Sequence, residues 1–348
     1  MNRSVALALA KFDDLSVVAQ TLEADGFSRA WATELRGRDA FTRAIHMAHH
    51  TSEIGVATGI AYAFTRHPLA MAAAAVEGIV TTQGRLTIGI GTGSAHVRSE
   101  FGIDFDHPAT RLSEYVQLMK AAFAASGDLE HHGAFYDVVM PGFRFASSYE
   151  TLQAIRIYGA GLNPYALTVL SRFCDGIALH PLGHWGPYLS EVVVPAINKG
   201  VKDHERPVNI ASWVITCAME DEETARSLAK AQLALYCAQP GFAPYLERTP
   251  WSKISTVLQA QLDATGGRSD WLSIGNQHIP DDMLDQLAAA GTPEQVRDRV
   301  KHIESTLKEN GVDEIVFQIP GVALRPDLIV IVANELSRTL GPRGESHL

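Results

Sequence analysis

Two side chains that can donate or accept a proton stand where short apolar runs end. Glu34 closes the run 29–34, and His180 closes the run 176–180. A carboxylate at the end of a buried strand is partly withdrawn from water, which raises its pKa toward the working range of a general acid. An imidazole titrates near neutrality and could protonate a substrate. Glu34 and His180 are therefore the candidate catalytic residues; the alternatives are a carboxylate satisfied by backbone N–H groups or Arg36, and a histidine packed before a proline turn.

Glycines cluster after two other apolar runs, in residues 89–94 and 159–164. Glycine weakens a strand, so it tends to persist where a side chain would collide with a ligand or with neighbouring backbone. The second cluster opens a helix at Pro164, and the N–H groups at a helix start can bind phosphate without a lysine. Neither cluster has the Gly-x-Gly-x-x-Gly spacing of a dinucleotide fold. The alternative is that both clusters only form tight turns.

Other polar groups give weaker signals. His96 and Arg98 follow the first glycine cluster and could bracket an anion, or they could belong to a solvated loop. The histidine pairs 49–50 and 131–132 have no carboxylate or cysteine at ligand spacing, so no metal site is predicted. The three cysteines have no Cys-x-x-Cys spacing and are expected to be buried thiols in a reducing compartment.

The elements that must position these groups alternate between short β-rich apolar runs and helical patterns. Eight runs are predicted as strands, at 5–10, 29–34, 54–60, 86–91, 154–158, 176–180, 208–217 and 314–319. This alternation is typical of parallel sheets built from βαβ units, and eight units favour closure into a barrel. The predicted fold class is α/β, a (β/α)₈ TIM barrel with its active site at the carboxyl ends of the strands.

Two stretches interrupt this regularity. Residues 127–149 are predicted to be irregular, and residues 221–290 to form a helical insertion after strand seven. No Ser/Pro-rich linker, long charge run or repeat divides the chain, so residues 1–348 are expected to be one domain.

The composition excludes some classes of function. The net charge is −10, from 29 Lys and Arg against 39 Asp and Glu, which disfavours a nucleic-acid partner. No apolar run reaches the roughly 18 residues that a membrane span needs, and the amino terminus lacks the pattern of a secretory signal. We expect a soluble cytoplasmic protein that acts on a small molecule.

With these residues in view, the chain resembles the bacterial luciferase-like superfamily, in its F420-dependent oxidoreductase branch. The resemblance runs through nearly the whole chain. Each segment is modest alone, but their order and spacing are specific. The segments that carry it are 25–31, 58–68, 84–93, 111–123 and the turn 132–136, which is similar to the family's His-x-Gly-x-x-Tyr turn.

The resemblance implies a cofactor at the mouth of the barrel, coenzyme F420 or alternatively FMN. The family's third strand ends in a non-prolyl cis peptide that presses on the rear of the cofactor ring, and Gly59-Ile60 matches it. The strand-four glycines would line the cofactor, and the strand-five cluster would hold its phosphate. The implied cofactor residues are Gly59, Ile60, Gly91, Thr92, Gly93, Gly159, Ala160, Gly161, Leu162 and Asn163.

The chain also departs from the family's sugar-phosphate dehydrogenases. They carry an Asp-His pair where this chain has Glu34-Leu35, and a glutamate where it has Ser94. Their reaction is therefore not transferred to this protein. The loop 36–39 is longer and more basic than in close relatives, and we expect it to reshape the substrate mouth.

The resemblance implies hydride transfer between F420 and a small organic substrate that has a carbonyl, imine or activated double bond. The alternatives are an FMN-dependent monooxygenase using reduced FMN and oxygen, and a non-catalytic flavin-binding relative. The family commonly pairs through its early helices, so we expect a homodimer through the alanine-rich helix at 69–80.

Overall fold

Strands and helices alternate along the chain in a computed structural model that describes residues 1–103, 106–202, 207–264 and 270–342. The strands are β1 (Asn2–Leu7), β2 (Arg29–Ala32), β3 (Gly55–Thr58), β4 (Ala61–Tyr62), β5 (Leu86–Gly91), β6 (Gly127–His132), β7 (Asp137–Phe143), β8 (Arg156–Gly161), β9 (Gly176–Leu179), β10 (Asn209–Ala218), β11 (Ala288–Gly291) and β12 (Glu314–Gln318). The helices are α1 (Phe12–Ala24), α2 (Ala40–His49), α3 (Pro68–Thr81), α4 (Ala95–Glu100), α5 (Pro108–Ala124), α6 (Tyr149–Ala154), α7 (Pro164–Ser171), α8 (Gly186–Tyr188), α9 (Val194–Val201), α10 (Glu222–Cys237), α11 (Ala243–Leu246), α12 (Ile254–Ala264), α13 (Trp271–His278), α14 (Asp281–Leu287), α15 (Pro293–Glu309) and α16 (Pro326–Leu340). Short 3₁₀ turns cover Ala63–Thr65, Pro181–His184 and Pro240–Phe242, and a π turn covers Leu189–Val193.

The eight predicted strands all form, with ends displaced by a few residues. They are β1, β2, β3, β5, β8, β9, β10 and β12, and at least one helix follows each of them. Within this series, the pairs β1–β12, β10–β12, β2–β3, β3–β5 and β5–β8 are parallel. The fold class is therefore α/β, with the eight β/α repeats of a (β/α)₈ barrel.

By their internal contacts, the residues form two compact units. The unit of residues 29–178 and 195–210 contains β2, β3, β5 and β8, which pair in that order. Val56 lies opposite Leu86, and Ile90 lies opposite Gly159. Because these strands are parallel, their carboxyl ends lie along one edge of the sheet, and β4 extends that edge by pairing with the end of β5.

Glycines in this unit allow close packing between neighbouring strands. A Cβ atom on Gly89 of β5 would lie 2.1 Å from the carbonyl oxygen of Thr58 at the end of β3. The Thr58 hydroxyl donates a hydrogen bond to the Gly89 carbonyl oxygen at 2.7 Å. A Cβ atom on Gly159 of β8 would lie 2.8 Å from Cys174 Sγ. Protein atoms therefore occupy the space that side chains would need at these two glycines.

The prediction of irregular chain over residues 127–149 is wrong. Strands β6 and β7 form an antiparallel hairpin, and α6 follows them. Glu114 of α5 holds the hairpin turn by accepting hydrogen bonds from the backbone N–H groups of residues 134, 135 and 136, at 3.0, 2.9 and 2.7 Å. A Cβ atom on Gly133 would lie 1.9 Å from Glu114 Oε1, so a residue larger than glycine does not fit at this position. Both strands are largely exposed and lack an apolar alternation, so the hairpin is recognised only through its contact with α5.

The unit of residues 1–28, 179–194 and 211–348 contains β11, β10, β12 and β1 in that order. The predicted insertion after strand seven is helical from α10 to α14, but its end is not. Ala288–Gly291 forms β11, which pairs in parallel with the end of β10. Alanine favours helices by local propensity; here pairing with β10 and burial of Ala288 and Ala289 outweigh that preference.

Each unit buries its own apolar core. In one, Trp31 is fully buried and its ring lies 5.9 Å from that of Tyr158. In the other, Phe27 and Phe317 meet edge to face at 6.4 Å, and the buried Arg3 is paired with Glu304 at 2.8 Å. Among the helices of the described residues, none combines the length and the apolarity that crossing a membrane requires.

We expect Gly89→Ala to destabilise the protein strongly, because the added methyl group would meet a backbone oxygen that cannot rotate away. Overpacking of this kind costs about 3 kcal/mol. Urea unfolding followed by circular dichroism measures the change. Gly127→Ala is the matched control, since a Cβ atom there meets nothing within 4 Å. Equal unfolding midpoints for the two variants would contradict the packing argument.

Candidate functional site

The carboxyl ends of β3, β5 and β8 bring three of the predicted cofactor residues together. The Gly59–Ile60 peptide bond is cis, as the resemblance implied. A Cβ atom on Gly91 would lie 2.6 Å from Ile60 Cδ1 and 3.1 Å from the Ala160 Cβ atom. Ile60 and Ala160 are partly exposed, whereas residues 56–58 of β3 and 157–159 of β8 are buried. These three residues form a small apolar ledge that a planar ring can cover.

The second glycine cluster leads into helix α7. Asn163 is the residue before the helix, and its side chain accepts a hydrogen bond from the Ala166 N–H at 2.8 Å, with Pro164 in the first turn. This capping role uses the Asn163 side chain locally. A Cβ atom on Gly161 would make only ordinary contacts, the nearest at 3.4 Å. Gly161 therefore differs from Gly159, since packing within the protein does not explain it.

Polar contacts within the loop after β5 shape its backbone. The Thr92 hydroxyl and the Arg98 guanidinium both donate to the Gly93 carbonyl oxygen, at 2.9 and 2.8 Å. Gly93 has a φ of 68°, a conformation that glycine adopts readily. Arg98 thus binds the loop itself, and the position of the His96 side chain lies outside what the structure describes. A small recess beside this loop is lined by Tyr62, Phe64, Thr65, Thr92, Val97, Arg98, Phe101 and Ile103.

Glu34 follows β2 at the same edge and is 8% exposed. Burial raises the pKa of Glu34, while the charge of Arg66 and hydrogen bonds from the Tyr62 and Ala40 N–H groups oppose that rise. The Glu34 carboxylate is therefore desolvated, and its charge and hydrogen-bond partners offset only part of the cost of ionising it there. Arg36, suggested by sequence as its partner, instead pairs with Glu100 at 2.6 Å.

Arg66 and Asp39 are site residues that the sequence interpretation missed. Arg66 Nη1 lies 3.7 Å from Glu34 Oε2, and Arg66 Nη2 bonds to Asp39 Oδ2. Asp39 also caps α2 by accepting from the Thr42 N–H at 2.7 Å. Both residues stood in segments already noted, the loop 36–39 and the segment 58–68. No local pattern reveals that residues 34, 39 and 66 meet.

His180 lies in the other unit and does not match its predicted chemistry. Its Nδ1 atom accepts a hydrogen bond from the Leu182 N–H at 3.3 Å, and its ring packs on Tyr236 and Phe242 at 4.6 and 4.3 Å between centroids. Burial, with His184 nearby, lowers the pKa of His180 well below its ordinary value. The expected titration near neutrality is therefore not supported, because the ring stays neutral there.

His184, four residues further along, is also held neutral. It is 3% exposed, and its Nδ1 donates to the Pro181 carbonyl oxygen at 2.6 Å. Burial lowers the pKa of His184 to about 4; Arg299 adds to this effect, and the hydrogen bond to Pro181 opposes it.

Thiol and metal chemistry have little support in the described part of the chain. Burial raises the pKa of Cys217 and of Cys237 to about 12, so neither is a thiolate near neutrality. Across the described residues, no three His, Cys, Asp or Glu side chains are grouped as metal ligands.

Comparison with known proteins identifies the family. The family model of luciferase-like monooxygenases matches residues 2–310. The chain belongs to the luciferase-like monooxygenase family. An uncharacterised protein of Mycobacterium tuberculosis is 29% identical, over 84% of this chain and 86% of the relative. The 5,10-methylenetetrahydromethanopterin reductase of Methanopyrus kandleri is 25% identical, over 90% of this chain and 91% of the relative.

Solved structures confirm the fold class. The coenzyme F420 dependent tetrahydromethanopterin reductase of Methanopyrus kandleri matches with a TM-score of 0.77 and 20% identity, covering 98% of both chains. The oxygenating constituent of 3,6-diketocamphane monooxygenase of Pseudomonas putida, in complex with FMN, matches with a TM-score of 0.67 and 14% identity, covering 99% of both chains. The predicted (β/α)₈ barrel is confirmed. Luciferase-like proteins of this fold thus include users of F420 and of FMN.

The buried histidines predict a loss of stability in acid. An unfolded histidine binds a proton near pH 6.5, whereas His184 binds one only near pH 4. Its contribution to stability is therefore complete above pH 6.5 and is lost as the pH falls from 6.5 toward 4. We expect His184→Asn to be less stable at pH 7 but to lose about 2 kcal/mol less than the wild type between pH 7 and pH 5.

Urea unfolding at a series of pH values measures this difference. His49→Asn is the control, because His49 is exposed on α2. Parallel stability curves for His184→Asn and the wild type would refute the assignment.

Proposed function

We propose that this luciferase-like protein is an oxidoreductase that transfers a hydride between coenzyme F420 and a small organic substrate. The observation that carries the proposal is the desolvated carboxylate of Glu34, at the same strand edge as the ledge of Ile60, Gly91 and Ala160. A relative 25% identical to this chain is named a reductase, and the structure matched at a TM-score of 0.77 is named F420 dependent.

The residues present fit a cofactor of this kind. The ledge offers an apolar surface, partly exposed, of the sort that a ring system covers. Gly161 leaves room beside the start of α7, where a helix N-terminus favours an anionic group. When bound there, the cofactor would supply or accept the hydride. Gly59, Ile60 and the residues 91–93 would hold the ring, and the residues 159–163 would hold the phosphate.

Glu34 is the group that we assign to the accompanying proton. In the reducing direction, a substrate C=O or C=N carbon gains the hydride, and the oxygen or nitrogen gains a proton from the Glu34 carboxylic acid. The carboxylate that remains is reprotonated from solvent. The raised pKa of Glu34 suits this role, because an acid works best when its pKa is near the working pH. Burial keeps the His180 ring neutral, so the proposal assigns it no proton transfer.

The first test is a separate titration of the purified protein with coenzyme F420 and with FMN, followed by tryptophan fluorescence. We expect saturable binding of F420 and weaker binding of FMN. Preference for FMN would move the protein to the monooxygenase alternative, consistent with the structural match to an FMN complex. Binding of F420 without turnover of any ketone, imine or activated alkene would favour a non-catalytic carrier. Binding of neither cofactor would refute the proposal.

The second test is Glu34→Gln, which keeps the shape of the side chain but cannot supply a proton. We expect F420 affinity to be unchanged and kcat to fall by about 10²- to 10⁴-fold on an acceptor found by that screen. Glu100→Gln, at the same edge but paired with Arg36, is the matched control. A Glu34→Gln enzyme with full kcat would exclude Glu34 as the proton donor.

A further inference from the structure

One cation stands between two carboxylates at the end of β2. Arg66 follows the turn Ala63–Thr65, Asp39 precedes α2, and Glu34 follows β2. The guanidinium contacts both carboxylates, so both draw on its positive charge, and Asp39 also interacts with the charge of Arg43. If both acids are ionised, the group carries a net charge of −1, a costly state for a carboxylate as buried as Glu34.

The competition is unequal. Arg66 Nη2 makes a hydrogen-bonded ion pair with Asp39. Arg66 Nη1 is 3.7 Å from Glu34 Oε2, beyond hydrogen-bond distance. Nη1 is buried and has no hydrogen-bond partner among the described residues. The guanidinium is therefore hydrogen-bonded to Asp39, whereas it interacts with Glu34 only through its charge.

The surroundings hold this geometry in place. The Tyr115 hydroxyl donates to the Arg66 carbonyl oxygen at 3.0 Å, and the guanidinium lies over the Phe41 ring at 5.8 Å. Asp39 is held by its capping bonds to the Thr42 N–H and hydroxyl, both at 2.7 Å. The Tyr115 bond therefore holds the backbone of Arg66, and its guanidinium contacts Phe41 and Asp39.

We propose that Asp39 and Arg66 are positioning residues that keep Glu34 able to hold a proton, because Asp39 takes the hydrogen bond of Arg66 and its own negative charge opposes the effect of that cation on Glu34. Without Asp39, the positive charge of Arg66 would act on Glu34 unopposed and keep that carboxylate ionised. Without Arg66, Glu34 would face Asp39 uncompensated and hold its proton more tightly. The proton-transfer role of Glu34 rests on the proposed function, whereas the charge arrangement does not.

The directions of the pKa shifts agree with this arrangement. Burial raises the pKa of Glu34; Arg66 lowers it and Asp39 raises it. Burial opposes ionisation of Asp39, but the Thr42 hydrogen bonds and Arg66 hold the pKa of Asp39 below its usual value. Among the described residues, the phenols of Tyr62 and Tyr115 also interact with Glu34, and burial raises the pKa of each. Both phenols are therefore neutral where Glu34 titrates.

The test is a titration of the Glu34 carboxyl carbon by NMR in the full-length, cofactor-free protein labelled with ¹³C-glutamate. Glu34→Gln identifies the resonance. We expect Asp39→Asn to lower the Glu34 midpoint by about one pH unit and Arg66→Gln to raise it by about one unit. Asparagine is as good a helix cap as aspartate, so Asp39→Asn preserves α2. Arg66→Lys keeps a cation and should stay closer to the wild type than Arg66→Gln.

Opposite shifts support the inference, since a general loosening of the fold would move both midpoints the same way. Shifts in the same direction, or unchanged midpoints, overturn it. If Arg66→Gln does not fold, Asp39→Asn decides alone: a lowered midpoint supports the inference, and any other result overturns it. If the midpoints move as expected but the pH dependence of turnover does not follow them, the charge arrangement stands and the proton role of Glu34 in the proposed function falls.

Discussion

The close approach of β3 and β5 is the constraint on which the site depends. The carbonyl oxygen of Thr58 occupies the space where Gly89 would carry a side chain, and the Thr58 hydroxyl binds the Gly89 carbonyl. Because the strands cannot separate there, the residues that follow them are brought to one edge. Gly91 can then contact Ile60 from β3 and Ala160 from β8. A ledge of small apolar surface results from strand packing, before any ligand is considered.

Glu34, Asp39 and Arg66 are charged side chains at this edge, and their pairing is unequal. Arg66 is the cation that meets both Glu34 and Asp39, and it bonds to one of them. The other carboxylate, Glu34, is left desolvated and close to a cation that is hydrogen-bonded to Asp39. In the other unit, His180 packs against aromatic rings and stays neutral near physiological pH. The proposed function therefore assigns proton transfer to the Glu34 carboxylate alone, because His180 is held neutral.

Much of the fold follows from local pattern. Apolar runs of five to ten residues separated by helical periodicity identified all eight barrel strands, because a strand buried on both faces is apolar throughout. The order of short motifs predicted the family, whose model matches residues 2–310, and the cis bond at Gly59–Ile60. The largely exposed hairpin of β6 and β7 was missed, because the contact that holds its turn comes from Glu114, outside the hairpin.

The sequence by itself determined where the eight strands lie along the chain, the glycine-rich strand ends and the presence of Glu34 at one of them, since these depend on periodicity and neighbouring residues. Only the tertiary structure decided which charges meet. Arg36 is two residues from Glu34 yet pairs with Glu100, whereas Arg66, distant in sequence, faces Glu34. The proton affinity of a carboxylate depends on burial and on charges within a few ångströms. Those distances are set by how strands and helices pack, which no local pattern contains.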